Sequence, residues 1–195
     1  KLYLTCPDEV YRFSAYFIYV CANLTAGQIQ RARYALAEIK NTWRAEEKAP
    51  YVRALKAFAV FTSSMFLHLP LAEDILSVEE FLPLLPIGLR AFALYVQAHY
   101  LYLKKDYGKS AGIAEATLWM GADRYPIPAI YLHLSAAMGY ISLKQIQQAQ
   151  KHLLAAWKIS RPDGLIGGFA ENHELLEAVV RPDWPEDFRR FIAIT

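Results

Sequence analysis

The sequence has few of the residues and motifs that mark metal, membrane or secreted proteins. Its two cysteines, Cys6 and Cys21, are fifteen residues apart and have no neighbouring histidine pair, so a zinc site is not predicted. A disulfide between them stays open, but free thiols in a cytoplasmic protein are the favoured interpretation. No apolar run reaches 18 residues, so no transmembrane helix is predicted. The amino terminus lacks the basic and long apolar regions of a signal peptide, and we expect a cytoplasmic location.

Motifs that carry catalysis are missing as well. The sequence contains no GxGxxG or GxxxxGK[ST] phosphate loop, no GxSxG nucleophile elbow and no HExxH zinc motif. Glu171, His173 and Glu174 cluster on one short predicted segment, where a solvated helix start is favoured over a weak metal site. We therefore expect a non-catalytic protein with no cofactor and no metal.

The charge and the composition further restrict the classes of protein to which this chain can belong. The formal net charge is only +2, and the adjacent basic pairs 104–105 and 189–190 do not make a nucleic-acid-binding stripe. With 55% hydrophobic residues and 27 aromatic side chains, the chain can bury a sizeable core. A folded domain without a strong electrostatic field is expected.

Five of the ten prolines stand at near-constant intervals along the chain. They stand 43, 36, 40 and 36 residues apart, at Pro7, Pro50, Pro86, Pro126 and Pro162. Proline suits the first turn of a helix but not its interior, and a period of 20–50 residues is typical of repeat proteins. Strand signals are weak throughout. The spacing predicts an all-α fold of about four helical hairpins, at about 8–44, 51–82, 87–120 and 127–160, with two capping helices at about 170–194.

Within this frame the predicted helices cover 8–24, 28–44, 51–67, 72–82, 87–104, 107–120, 127–142, 143–160, 170–180 and 184–194. Asp8 and Asp183 are the expected caps of the first and last of these.

The third and fourth hairpins match each other at an offset of 39 residues. The matched pairs are small or apolar in both copies: Ala98 with Ala137, Leu101 with Tyr140, Tyr107 with Ile146, Ser110 with Ala149, and Thr117 with Ala156. Such residues let helices approach closely. The pattern resembles the tetratricopeptide repeat, with a period that wanders from 36 to 43 residues. The resemblance implies a single domain shaped as a right-handed solenoid.

That resemblance also implies a concave face lined by the first helix of each hairpin. The inward positions are Ser14, Phe17, Cys21, Arg53, Lys56, Val60, Phe92, Tyr95, His99, Tyr102, Tyr131, Leu134 and Met138. The set is aromatic with one cationic edge, Arg53 and Lys56. It predicts binding of a small apolar or aromatic effector that carries an acidic group, or of a peptide or protein partner. The alternative is that these aromatic side chains pack between helices as ordinary core.

The carboxyl-terminal part carries a second resemblance. Residues 160–166 (SRPDGLI), 169–171 (FAE) and 184–190 (WPEDFRR) are similar to the segment that precedes the DNA-binding end of bacterial LuxR-type transcriptional regulators. The resemblance implies the sensor or interaction region of such a regulator, in which an effector shifts the array between two packings. DNA would be contacted only through a helix-turn-helix domain that this chain does not contain.

A free-standing tetratricopeptide-like adaptor that binds a peptide or protein is the alternative function. An apolar stripe on the last predicted helix, Trp184, Phe188, Phe191 and Ile192, predicts a homodimer surface, unless further chain normally covers it.

Overall fold

Helices form all the regular secondary structure that the computed structural model describes. It describes residues 8–41, 49–67, 69, 77–177, 179–180 and 184–193, and none of these lies in a β-strand. The predicted all-α class is confirmed.

Eleven α-helices lie within these described ranges. They are α1 Glu9–Thr25, α2 Ile29–Asn41, α3 Pro50–Phe66, α4 Val78–Phe81, α5 Ile87–Leu103, α6 Tyr107–Trp119, α7 Pro126–Ser142, α8 Ile146–Ser160, α9 Gly167–Ala170, α10 His173–Glu177 and α11 Glu186–Ala193. Short 3-10 helices follow at Leu82–Leu84, Ala122–Arg124 and Arg161–Asp163.

Proline and aspartate begin the helices for the expected physical reasons. Pro50 and Pro126 are the first residues of α3 and α7, and Pro86 directly precedes α5. The Asp8 carboxylate caps α1 by accepting hydrogen bonds from the backbone N–H groups of Val10 (2.9 Å) and Tyr11 (3.4 Å). These helix starts are confirmed.

Two predicted boundaries were wrong. The eighth helix begins at Ile146 and not at residue 143, because Lys144 has a left-handed backbone (φ 60°) that ends α7 and closes a turn. The predicted helix 170–180 is instead the short pair α9 and α10. Asn172 interrupts it by donating its side-chain amide to the Gly168 carbonyl at 2.9 Å, which competes with helical pairing.

Parts of two other predictions fall outside the described residues. For the helix predicted over 72–82, the structure describes α4 and the 3-10 helix after it. The backbone N–H of Ser77 donates to the Glu80 carboxylate at 2.7 Å, which lowers the pKa of Glu80 and fixes the start of α4. Residues 42–44, Cys6 and the expected cap Asp183 also lie outside the described residues.

Three interhelical turns repeat the same backbone geometry. Gly27, Lys105 and Lys144 all have positive φ, of 69°, 64° and 60°. In each turn the next residue donates its N–H to the carbonyl five positions back, at 2.7 Å for Gln28, 3.0 Å for Asp106 and 2.8 Å for Gln145. This is the hydrogen bond of a Schellman motif. Lys105 and Lys144 are 39 residues apart, the offset found in the sequence.

The chain divides into two compact units, Lys1–Ala93 and Leu94–Thr195. In the first unit, α1 packs against α2 and both contact α3. One cluster of its core consists of the buried side chains Val20, Ala32, Ala35, Leu36, Ile39, Val60 and Leu67. The prediction of one repeat domain over the whole chain stays a prediction.

The second unit is built around α7, which packs between α6 and α8. Its core joins residues of α7 and α8 to the carboxyl-terminal helices: Ile130, Leu134, Ala137, Met138, Leu153, Ala156, Trp157, Phe169, Leu176, Val179, Trp184, Phe188 and Ile192.

The apolar stripe of α11 therefore faces inward. Trp184, Phe188 and Ile192 are buried, and Phe191 is half-buried against Phe169 with ring centroids 5.0 Å apart. The expectation that this stripe is exposed was wrong, because its residues pack into one core with residues of α7 and α8. The homodimer itself stays a prediction.

Small residues at the repeat positions are buried in both copies. Ala98 and Ala137, and Thr117 and Ala156, are each at most 3% exposed. At the third pair, Ser110 on α6 stands where Ala149 stands on α8, and both are fully buried. The Ser110 hydroxyl has no hydrogen-bond partner among the residues that the structure describes.

Replacing Ser110 with alanine is therefore expected to raise the free energy of unfolding by about 1 kcal/mol, because a buried hydroxyl without a partner is removed and alanine favours the helix. Urea denaturation measures the change. Ser160→Ala is the matched control, since the buried Ser160 hydroxyl donates to the Ala156 carbonyl at 2.8 Å. We expect that control to lower stability, and a decrease for Ser110→Ala would contradict the prediction.

Candidate functional site

Two of the predicted binding residues of the first unit contact the same phenylalanine. Phe17 on α1 and Phe92 on α5 both contact Phe58 on α3, with ring centroids 6.0 Å and 6.1 Å apart. All three pack as an aromatic core, since Phe58 is 5% exposed and the other two are half-buried.

The two predicted cations of this unit differ in exposure. Arg53 is half-buried on α3, and its charge adds a smaller contribution to the lowered pKa of Glu80, which the hydrogen bonds with Ser77 mainly cause. Lys56 is only 1% exposed, and it begins a stretch of α3 in which every residue up to Met65 is buried. An exposed cationic edge formed by Lys56 was therefore a wrong expectation.

In the second unit the predicted aromatic residues do come together. The Tyr95 ring lies 4.9 Å from that of Tyr131 and 6.0 Å from that of His99, measured between centroids. Tyr102 continues the row, 6.4 Å from His99 and 5.3 Å from Tyr107. We call these five residues the aromatic cluster. Apart from Tyr95 they are half-buried, so each of these residues is partly exposed to solvent.

One end of the aromatic cluster lies against α9, which begins with two glycines, and against an acidic side chain. A Cβ atom on Gly168 would lie 3.1 Å from the Tyr131 ring and 2.8 Å from a Leu134 methyl, so only glycine lets α9 approach this closely. The Tyr131 hydroxyl lies 3.5 Å from the Glu171 carboxylate. Desolvation and that carboxylate raise the pKa of Tyr131 to about 12, and desolvation raises the pKa of Glu171.

Three predicted site residues of this unit are core residues. Tyr95, Leu134 and Met138 are 3%, 1% and 4% exposed. Burial also raises the pKa of the Tyr95 hydroxyl. The sequence left open whether these residues bind a ligand or pack between helices. The structure shows that they pack between helices. Ligand binding by the half-buried members stays a prediction.

A second, polar cluster joins three consecutive helices of this unit. It consists of Glu115 on α6, His133 and Tyr140 on α7, and His152 on α8. The Glu115 carboxylate accepts the Tyr140 hydroxyl at 2.8 Å, and its other oxygen lies 3.0 Å from Nε2 of His152. The Nδ1 atoms of His133 and His152 are 2.9 Å apart.

In the polar cluster, burial has the largest effect on the pKa of Glu115, Tyr140 and His152, and the hydrogen bonds among them have the next largest. Burial lowers the pKa of His152, although Glu115 opposes the change. Desolvation would raise the pKa of Glu115, but hydrogen bonds from Tyr140 and His152 outweigh it and the net shift is downward. Desolvation and the Glu115 carboxylate raise the pKa of Tyr140 to about 12.

Sequence reasoning missed the polar cluster because its members are far apart in the chain. Glu115 and His152 are 37 residues apart, and no short motif joins them. One signal was present: His133 and Tyr140 are seven residues apart, which places them on the same face of a helix. His173 differs from His152 because its acidic partner is close in the sequence: its Nε2 atom lies 3.3 Å from the Glu177 carboxylate within α10.

Other site classes receive no support from the described part of the chain. No three His, Cys, Asp or Glu side chains there are arranged to hold a metal ion. None of the helices in the described ranges is long and apolar enough to span a membrane. Cys21 is a free thiol, and burial raises its pKa.

Comparison with protein-family models, with curated proteins and with solved structures gave no match.

Proposed function

We propose that this chain is the non-catalytic sensor or interaction region of a LuxR-type transcriptional regulator, and that the aromatic cluster of the second unit binds its effector. The observation that carries the proposal is the convergence of Tyr95, His99, Tyr102 and Tyr131, which sequence analysis had selected as binding residues, on one another.

The chemistry of the cluster supports an apolar or aromatic ligand. Half-buried tyrosine and histidine rings offer flat apolar area and polar edges, which suits stacking against a planar molecule. The charged side chain beside Tyr131 is the carboxylate of Glu171, so a neutral effector fits this end better than the acidic one expected from the sequence.

A tetratricopeptide-like arrangement of hairpins is part of the proposal. It is supported by the turns at Gly27, Lys105 and Lys144, which share one backbone geometry, and by buried small residues at matched positions of the third and fourth hairpins. In such arrays each hairpin packs on its neighbours, so a ligand between hairpins shifts their packing. The regulator would pass that shift to an attached DNA-binding domain.

The proposal is tested with a neutral aromatic probe. We expect N-phenyl-1-naphthylamine to bind this chain with increased fluorescence, and Tyr102→Ala to weaken binding roughly tenfold, which corresponds to about 1.4 kcal/mol. Tyr102 is chosen because it is half-buried and contacts both His99 and Tyr107. Circular dichroism confirms that the variant is folded.

Tyr34→Ala is the matched control for this titration. Tyr34 is 63% exposed on α2 of the first unit and belongs to neither cluster. The control should leave probe affinity unchanged. Equal probe affinities for Tyr102→Ala and the unmodified chain would reject the aromatic cluster as the effector site.

A further inference from the structure

The polar cluster contains a direct contact between two imidazole rings. Nδ1 of His133 on α7 and Nδ1 of His152 on α8 are 2.9 Å apart, while the ring centroids are 5.2 Å apart. The two nitrogen atoms therefore point almost directly at each other, which is the geometry of a linear N–H···N hydrogen bond. We call these two residues the histidine pair.

The partners of the histidine pair determine where its protons lie. A carboxylate only accepts hydrogen bonds, so the Nε2 atom of His152 that faces Glu115 must carry a hydrogen. In the neutral form, Nδ1 of His152 then has a free lone pair, and it accepts the hydrogen on Nδ1 of His133. Each of these polar atoms is satisfied, and the chain of hydrogen bonds ties α6, α7 and α8 together.

The same geometry limits how many protons the histidine pair can hold. One extra proton is tolerated if His133 moves its own hydrogen to Nε2, because His152 then donates from Nδ1. A second extra proton places a hydrogen on both Nδ1 atoms, and the 2.9 Å contact becomes a clash between two donors of equal charge. The fully protonated pair cannot keep this contact.

The charged and titratable groups around the histidine pair come from each neighbouring element. Glu115 from α6 and Asp123 from the 3-10 helix Ala122–Arg124 favour the protonated forms. Lys151 on α8 opposes them, and the Tyr140 ring stacks on His152 with centroids 5.8 Å apart. The side chain of His152 is only 6% exposed, so burial also favours the neutral imidazole.

We propose that the histidine pair is a pH-sensitive clamp between α7 and α8, which holds the second unit together when neutral and releases when mild acid protonates both rings. The inference does not depend on the proposed effector site, because none of the polar cluster residues belongs to the aromatic cluster.

The sign of the expected pH dependence follows from proton linkage. Burial, together with the charges of His152 and Lys151, lowers the pKa of His133 to about 4, whereas an unfolded histidine titrates near 6.5. Between these values the unfolded chain binds a proton that the folded chain refuses, so stability falls as the pH falls. The contribution is fully present above pH ~6.5 and is lost as the pH decreases toward about 4.

The experiment compares urea denaturation at pH 7.5 and pH 5.0 for the unmodified chain, His133→Gln and the control His173→Gln. Glutamine at 133 can still donate a hydrogen bond to His152 but cannot titrate. From His133 alone, the folding equilibrium constant should fall roughly 30-fold between the two pH values. This part of the loss should disappear in His133→Gln and persist in His173→Gln. An equal loss in all three proteins would overturn the proposal.

A second measurement applies even if His133→Gln fails to fold. In the unmodified chain, NMR titration of the histidine Hε1 resonances should show a midpoint of about 4 for His133 and a lowered midpoint for His152. Loss of dispersed signals from α7 and α8 should accompany these titrations. Independent titration of both rings near 6.5, with the rest of the spectrum unchanged, would reject the clamp.

Discussion

Phe188→Ala is expected to lower the free energy of unfolding by about 3–5 kcal/mol. The Phe188 side chain is fully buried and contacts two tryptophan rings, Trp157 on α8 with centroids 5.3 Å apart and Trp184 with centroids 5.0 Å apart. Truncation leaves a cavity that these large rings cannot fill. It also removes the main anchor of α11, whose other fully inward residue is Ile192. Urea denaturation at neutral pH measures the change.

Trp119→Ala is the control for this experiment. Trp119 at the end of α6 is 88% exposed, so removing a still larger aromatic ring there should change stability by less than about 0.5 kcal/mol. Equal effects of the two substitutions would mean that α11 does not cover the core of the second unit. In that case the apolar stripe of α11 would again be a candidate dimer surface.

Gly139→Val is expected to lower the free energy of unfolding by about 2–3 kcal/mol. Gly139 on α7 faces α6 so closely that a Cβ atom would lie 3.0 Å from the Tyr107 carbonyl oxygen and 3.2 Å from Cβ of Ala111. A backbone carbonyl and an alanine methyl cannot rotate away, so the two helices must separate. Because Glu115 on α6 binds Tyr140 on α7, we also expect weaker pairing in the polar cluster.

Gly112→Val provides the matched comparison in α6. A Cβ atom on Gly112 would meet no other atom within 4 Å, so only the gain in helix propensity remains and stability should stay equal or rise slightly. Comparison of the two variants therefore distinguishes the effect of the steric contact between α6 and α7 from the effect of helix propensity. A similar change for both would contradict the close approach of α6 and α7.

The sequence carried enough local information to predict where several helices begin. The prolines at 50, 86 and 126 marked the starts of α3, α5 and α7, because the ring is compatible with a first helical turn and not with an interior one. Asp8 marked the cap of α1 for an equally local reason. Lys144 was misread, since a lysine with positive φ leaves no compositional signal comparable to glycine at 27.

Of the two candidate sites, one was partly predictable from the sequence and the other was not. The aromatic cluster was partly predictable, because tyrosines and His99 recur at helical spacing on α5, and the structure brings Tyr131 of α7 against them. The sequence did not predict which of these side chains are buried. Tyr95 is a core residue, whereas Tyr102 is only half-buried. The polar cluster was not found at all, since Glu115 and His152 meet only through the packing of three helices.

The sequence by itself therefore determined the helical class and most helix starts, because proline, capping and apolar periodicity act within one or two turns of the chain. It also carried the 39-residue correspondence between the segments that form α5–α6 and α7–α8. Tertiary structure alone decided that Lys56 is buried, that the α11 stripe faces the core and that His133 meets His152. Each of these depends on which helix faces which, and long-range packing determines that through the shape and polarity of surfaces distant in the sequence.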